Sequence, residues 1–316
     1  MTDYQGPIID VHHHFWQPRL GRIPALRADA DTSWFRYGDI SQLRKDYLPP
    51  DLLRDSAGFD LVGTVYAEVA WDDDDPIGEM LYLQDIREQW GLPTAAVAHA
   101  RLAYSNVEET LERLASFPFV RGVRDMHGNE KVINYSPGYP TPLMDPEWQK
   151  GFALLSRYGL SLDLQTSWNH FDEAVKLARR FPDTPMTIVH AGHPADRSSE
   201  GLSQWEAALR TIAAEPQISI KISGIAIPGR PWTVDDNRPI VETVAEVFGP
   251  DRVMFASNFP VDGMMATFQE IYGGFVEIAR GWSDAEQLAA FAGNAVRIYR
   301  LDPALIATDA AYGASD

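Results

Sequence analysis

The segment PIIDVHHHFW carries Asp10, His12 and His14, each separated from the next by one residue. A strand turns alternate side chains to opposite faces. The spacing therefore predicts Asp10, His12 and His14 in one phase, with Ile9 and Val11 in the other and His13 outside the polar set. Two imidazoles so placed at a strand's carboxyl end can reach one metal ion or one substrate carbonyl; a solvated histidine-rich turn is the competing reading. Further along, MTIVHAGHP puts His190 at the end of an apolar run and His193 in the turn after it. Loops after parallel strands are the usual address of catalytic groups. Three histidines converging on one mouth would favour function over structure.

Other polar residues sit at strand spacing. ISIKISG sets Ser219, Lys221 and Ser223 against three isoleucines, and LSLDLQT sets Ser161, Asp163 and Gln165 against three leucines. In a barrel the apolar phase packs on the helices, so these polar phases point inward. A buried lysine needs a partner, and Asp163 or Asp10 is expected to supply it for Lys221. In VRGVRD, Arg124 lies nearer the expected site than Arg121 and suits a carboxylate or a polarised oxygen. Glu68, at the end of another run, is a base or the partner of a cation. The carboxylates at 72–75 read as a solvated loop.

These groups need elements to hold them. Eight β-rich runs (residues 7–14, 60–69, 94–102, 120–125, 160–166, 186–190, 218–223 and 252–258) alternate with helical patterns at 77–90, 107–117, 146–158, 171–181, 202–214, 240–248 and 266–279. Alternation predicts βαβ units, and eight is the number a closed barrel requires. Helix ends are expected at Gly91, Gly159 and Gly249. Long connections at 17–58 and 127–145 would follow strands and form lids or binding loops at the mouth. No repeat or linker divides the chain, so residues 1–306 are expected to form one α/β domain, with 307–316 a flexible tail.

Composition limits the rest. The 316 residues carry 45 Asp and Glu against 27 Lys and Arg, a net charge of −18, which opposes nucleic acid and anionic membranes as partners. Nine Trp, 12 Tyr and 14 Phe argue against disorder. Without cysteine there is no disulfide, thiolate nucleophile or sulfur ligand. No signal peptide or membrane span is legible, so a cytoplasmic location is expected. A small-molecule substrate is the expected partner, with a homo-oligomer left open.

Taken together, D-x-H-x-H-F-W from Asp10, VHAGHP around His190, IKISG around Lys221, FASNFPVD ending at Asp262, and GNAVRIYRL ending at Leu301 resemble the amidohydrolase superfamily. The branch is the amidohydrolase-related (amidohydrolase 2) one that includes 2-pyrone-4,6-dicarboxylate lactonase and sugar-acid lactonases. The resemblance spans residues 8–301 and implies a single-domain, distorted (β/α)8 TIM-like barrel that hydrolyses a lactone ester. It implies His12, His14, His190 and Asn258 as the catalytic set, and Arg124, Glu68, Lys221 and Asp262 around the substrate. Asn258 stands where the hydrolases carry the aspartate that takes a proton from water, and an amide cannot be that base. The base must then come from Asp262, Glu68, Asp125, His127 or His193. Gln165 stands in place of a fifth-strand histidine, which argues against a two-metal centre. His12, His14 and His190 are expected either to hold one divalent metal, zinc first, or to work with none required. A metal-assisted decarboxylase of an unsaturated or aromatic acid and a catalytically silent binder are the rival readings. With Arg124 and Lys221 as its chief cations, the mouth is expected to favour a neutral sugar lactone.

Overall fold

A computed structural model describes residues 3–33, 35–72, 74–125 and 141–307. Eight parallel strands run in chain order: β1 Pro7–His13, β2 Asp60–Ala67, β3 Ala95–His99, β4 Val120–Arg124, β5 Ser161–Leu164, β6 Met186–Ile188, β7 Ile218–Ile222 and β8 Val253–Phe255. All eight fall inside the expected runs. The helices are α1 Pro49–Asp55, α2 Pro76–Trp90, α3 Val107–Ala115, α4 Pro146–Leu154, α5 Phe171–Arg180, α6 Ser199–Ala213, α7 Val234–Phe248, α8 Phe268–Ala279, α9 Asp284–Leu288 and α10 Asn294–Ile298. The result is a single-domain (β/α)8 barrel. Gly91, Gly159 and Gly249 end their helical segments at positive φ, where glycine avoids the penalty that a Cβ would bring. The α7 helix begins six residues before its expected start. Thr233 caps it on the Asp236 amide, which offsets the break that Pro239 signals in sequence.

Strand alternation sorts the interior as expected on β5 and β7. Ile218, Ile220, Ile222, Leu162 and Leu164 are buried in the layer against the helices. Lys221 and Asp163 turn into the barrel, where Lys221 Nζ lies 2.6 Å from Asp163 Oδ2 and donates to the Val11 carbonyl at 2.6 Å. Tyr299, just after α10, donates to Asp163 at 3.0 Å and places its ring 4.9 Å from Lys221 Nζ. With Ala292, Ala295 and Leu301 it packs on Ile9, Val11, Val65, Val97 and Met254. The segment 292–301 thereby plugs the barrel interior. Burial lowers the Lys221 pKa, and the Asp163 carboxylate opposes that shift. Removing one partner from such a pair strands a charge. Lys221→Met is expected to lose about 3–5 kcal/mol in urea unfolding, and Lys221→Met/Asp163→Leu to regain at least half. Equal stability of Lys221→Met and the wild type would contradict the assignment.

On β1 the expected phase fails. Register is interrupted between Asp10 and His13, and one slipped residue moves a side chain to the other face. Ile9 and Val11 line the interior cluster. Asp10 instead accepts from Ser257 N at 2.9 Å and Ser257 Oγ at 2.5 Å, and Tyr272 of α8 also bonds to it. Asp10 is thus a stitch across the β8–β1 seam and not a partner for Lys221. Burial, opposed by these hydrogen bonds, raises its pKa to about 6.

Candidate active site

The seam between β8 and β1 is also where the mouth is assembled. Asn258 N donates to the His12 carbonyl at 2.8 Å, and His14 N donates to the Phe259 carbonyl at 2.7 Å. These bonds tie the segment after β8 to the end of β1. The same segment holds Asn258 at φ +55°, and the turn after β6 holds His190, Ala191 and His193 at φ +55°, +52° and +57°. Left-handed backbone at non-glycine residues is strained and gathers at functional sites. The β6 turn is braced by Trp205, whose Nε1 donates to Ala191 O at 2.8 Å. Gly224, after β7, makes room for it: a Cβ there would lie 2.6 Å from His190 Nδ1.

The three expected histidines come together. Ring centroids are 5.2 Å apart for His12 and His14, and 4.6 Å for His12 and His190. His14 Nδ1 faces the Ala67 carbonyl at 2.8 Å and must carry the proton there, which leaves Nε2 a lone pair in the neutral ring. His190 Nδ1 pairs with Ser223 Oγ at 2.9 Å. Both nitrogens of His12 are buried with no hydrogen-bond partner among the described residues. A buried polar atom left open in a cluster is a place for substrate or water. His13 turns away, packing on Phe15 and Tyr66 with ring centroids at 4.4 and 6.1 Å.

Burial is the main cause that lowers every imidazole here. His12 lies well below the ordinary histidine value, with His190 and Lys221 adding to the effect. His190 is lowered well below it too, next by His193 and Arg124. His14 falls to about 4. All three are neutral at pH 7, able to donate or accept one hydrogen bond each without carrying charge.

Asn258 connects this cluster to a carboxylate. Its Nδ2 donates to Asp262 Oδ1 at 2.8 Å. Asp262 further accepts from Tyr37 OH at 3.1 Å and from Gly224 N at 3.0 Å. Three acceptor positions are taken, and a carboxylate has about four. Burial raises the Asp262 pKa to about 6, against the opposing charge of Arg36 and the hydrogen bonds. Sequence gave no sign of Tyr37, which arrives on the long 17–58 connection.

The remaining expected groups divide. Arg124 lies at the site, but its Nε donates to Glu68 Oε1 at 2.6 Å, its Nη2 to Glu68 O at 2.5 Å and its Nη1 to Gln165 Oε1 at 2.7 Å. Three of its five N–H groups are accounted for, and the rest can still meet a substrate oxygen. Burial would raise Glu68, but Arg124 and then His99 bring it below the ordinary carboxylate value. Glu68 is thus the ion-pair partner of Arg124, one of the two roles expected of it. Lys221 is held by Asp163 beneath the histidines. Asp125 accepts from Leu102 N, Trp148 Nε1 and Arg101 Nη1 at 2.9, 2.8 and 3.2 Å, a structural role. His193 stands beside His190 at 5.1 Å between ring centroids. His127 and most of the 127–145 loop lie outside the described residues, as do Asp73 and residues 308–316. Asp75 of the acidic run caps α2 through the Gly78 amide. Among the described residues no three His, Asp or Glu side chains are grouped so that they could share one metal ion. The His12, His14 and His190 rings, expected as one ligand set, lie together as neutral imidazoles.

Strained turns at the carboxyl ends of barrel strands, carrying histidines and a carboxylate, define the class: a barrel enzyme whose site lies at the mouth. Within that class the chain belongs to the amidohydrolase family, whose model matches residues 9–301. The uncharacterized protein y4mH of Sinorhizobium fredii is 35% identical over 93% of this chain and 98% of its own length. An L-fucono-1,5-lactonase of Burkholderia ambifaria is 25% identical over 93% of this chain and 96% of its own. The crystal structure of an amidohydrolase from Burkholderia multivorans superposes with a TM-score of 0.77 at 25% identity, covering 94% of this chain and 100% of that one.

Proposed function

We propose that the protein is a lactonase that opens a small cyclic ester of the sugar-acid type by attack of water on the carbonyl carbon. The observation that carries this reading is the Asn258–Asp262 pair: the carboxylate absent from position 258 is supplied four residues later, hydrogen-bonded to the amide that replaces it. A carboxylate whose pKa is raised towards neutrality is suited to general-base work. Asp262 takes a proton from a water oriented by the Asn258 amide. The charge that develops on the carbonyl oxygen meets the open His12 ring and the remaining N–H groups of Arg124. Collapse of the tetrahedral intermediate breaks the acyl–oxygen bond. The ring oxygen leaves with a proton, for which His190 is placed as relay, and the product is a hydroxy acid.

The relatives named lactonases support this reading. A carboxylate bonded to Asn258 beside the histidines suits activation of water, which favours hydrolysis over decarboxylation. A pH-indicator assay on sugar-acid lactones is the test. Acid release is expected, and dialysis against EDTA is expected to leave the rate within about twofold, since the neutral histidines and arginine carry the oxyanion. Carbon dioxide evolution without ring opening would overturn the reading. A loss of more than about tenfold restored by zinc would instead assign the oxyanion to a metal.

A further inference from the structure

A second polar cluster sits against the mouth, beside His193. A cavity of ≈ 110 Å³ is lined by Arg36, His193, Pro194, Arg197, Ile225 and Ala226 among others. Arg197 Nη2 donates to Ile225 O at 2.6 Å, while its Nη1 is buried with no hydrogen-bond partner among the described residues. Arg36 donates to Gly224 O and Ala226 O, both at 2.9 Å. Asp262 faces Arg36, and Asp236 acts on Arg197 from farther along the chain. A buried N–H left open is costly until a ligand meets it.

We propose that this cavity receives a carboxylate carried by the substrate, held by Arg197 and Arg36 beside His193, so that the enzyme acts on anionic lactones in preference to neutral ones. The proposal rests on the lactonase reading and narrows its substrate class. The position is right for it, because His193 adjoins His190 and the cavity therefore opens beside the reacting centre. Its electrostatics agree. Burial first, and then the charge of Arg36, lower Arg197 to about 10, with Asp236 opposing. Arg36 also faces Asp262 and packs over the Tyr37 ring at 4.5 Å. The neutral-substrate expectation drew on Arg124 and Lys221, whose charges Glu68 and Asp163 meet inside the protein. The two arginines that face the cavity come from the long loop after β1 and the turn after β6.

The test compares γ-butyrolactone-γ-carboxylate with its neutral carboxamide. A charge-assisted pair of hydrogen bonds is expected to favour the acid by roughly tenfold or more in kcat/KM. Arg197→Ala should bring the acid-to-amide ratio to about one, and Arg197→Lys should retain part of it, because lysine keeps the charge and loses the fork. A wild-type ratio of one or below would overturn the proposal. Should neither lactone be opened, calorimetry with 2-hydroxyglutarate at fixed ionic strength separates the two ideas. Binding to the wild type weakened about tenfold in Arg197→Ala supports the carboxylate site. No binding to the wild type, or equal binding to both proteins, overturns it.

Discussion

His12→Ala is expected to reduce kcat/KM for lactone opening roughly 100- to 1,000-fold, the usual effect of deleting one oxyanion donor, while leaving the fold intact. Both nitrogens of His12 lack partners among the described residues, so no internal hydrogen bond is lost. Its far-UV circular dichroism should match the wild type. His190→Ala should lose as much activity, but it also breaks the bond to Ser223 and alters a turn of left-handed residues. His12→Ala is therefore the cleaner probe of chemistry. Wild-type rates in both variants would remove the site assignment.

Asp262→Asn is expected to reduce kcat/KM roughly 100- to 10,000-fold, in the range for loss of a general base, and to change the pH profile. The base must be deprotonated, so wild-type kcat/KM should fall as pH drops below about 6, the value to which burial raises Asp262. It should approach tenfold per pH unit below that point. The histidines are lowered, His14 to about 4, and remain neutral through this window. They do not set that limb. In Asp262→Asn the limb near pH 6 should vanish along with most of the rate. A surviving limb at the same pH would place the base elsewhere. Asn258→Asp would set a second carboxylate against Asp262, and like charges so close cannot both ionise freely. A loss of activity is expected, whereas a large gain would mark a degenerate site and favour the silent binder.

Where alternation runs unbroken, sequence and structure agree. The three isoleucines of β7 and the leucines of β5 face the helices, and the lysine and aspartate between them meet inside the barrel at 2.6 Å. On β1 the two-residue period predicts Asp10 beside His12, and the interrupted register sends Asp10 to Ser257 and Tyr272 instead. The histidine pair was legible because its chemistry is local to one strand end. Tyr37, Arg36 and Arg197 were not, because their roles depend on where long-range packing sets two loops. Tyr37 reaches across 225 positions of sequence to Asp262, and Arg36 across 188 to Gly224. The replacement of the strand-end aspartate by Asn258 was visible, and Asp262 stood among the candidates. Asp262 bonds to Asn258, whereas Glu68 pairs with Arg124 and Asp125 accepts from Leu102 N and Trp148 Nε1.

Water attack on an ester carbonyl leaves an isotopic signature. Single-turnover lactone opening in ¹⁸O-labelled water should place one label in the carboxylate of the hydroxy acid and none in its hydroxyl. Label in the hydroxyl, or carbon dioxide released without a ring-opened acid, would contradict the account.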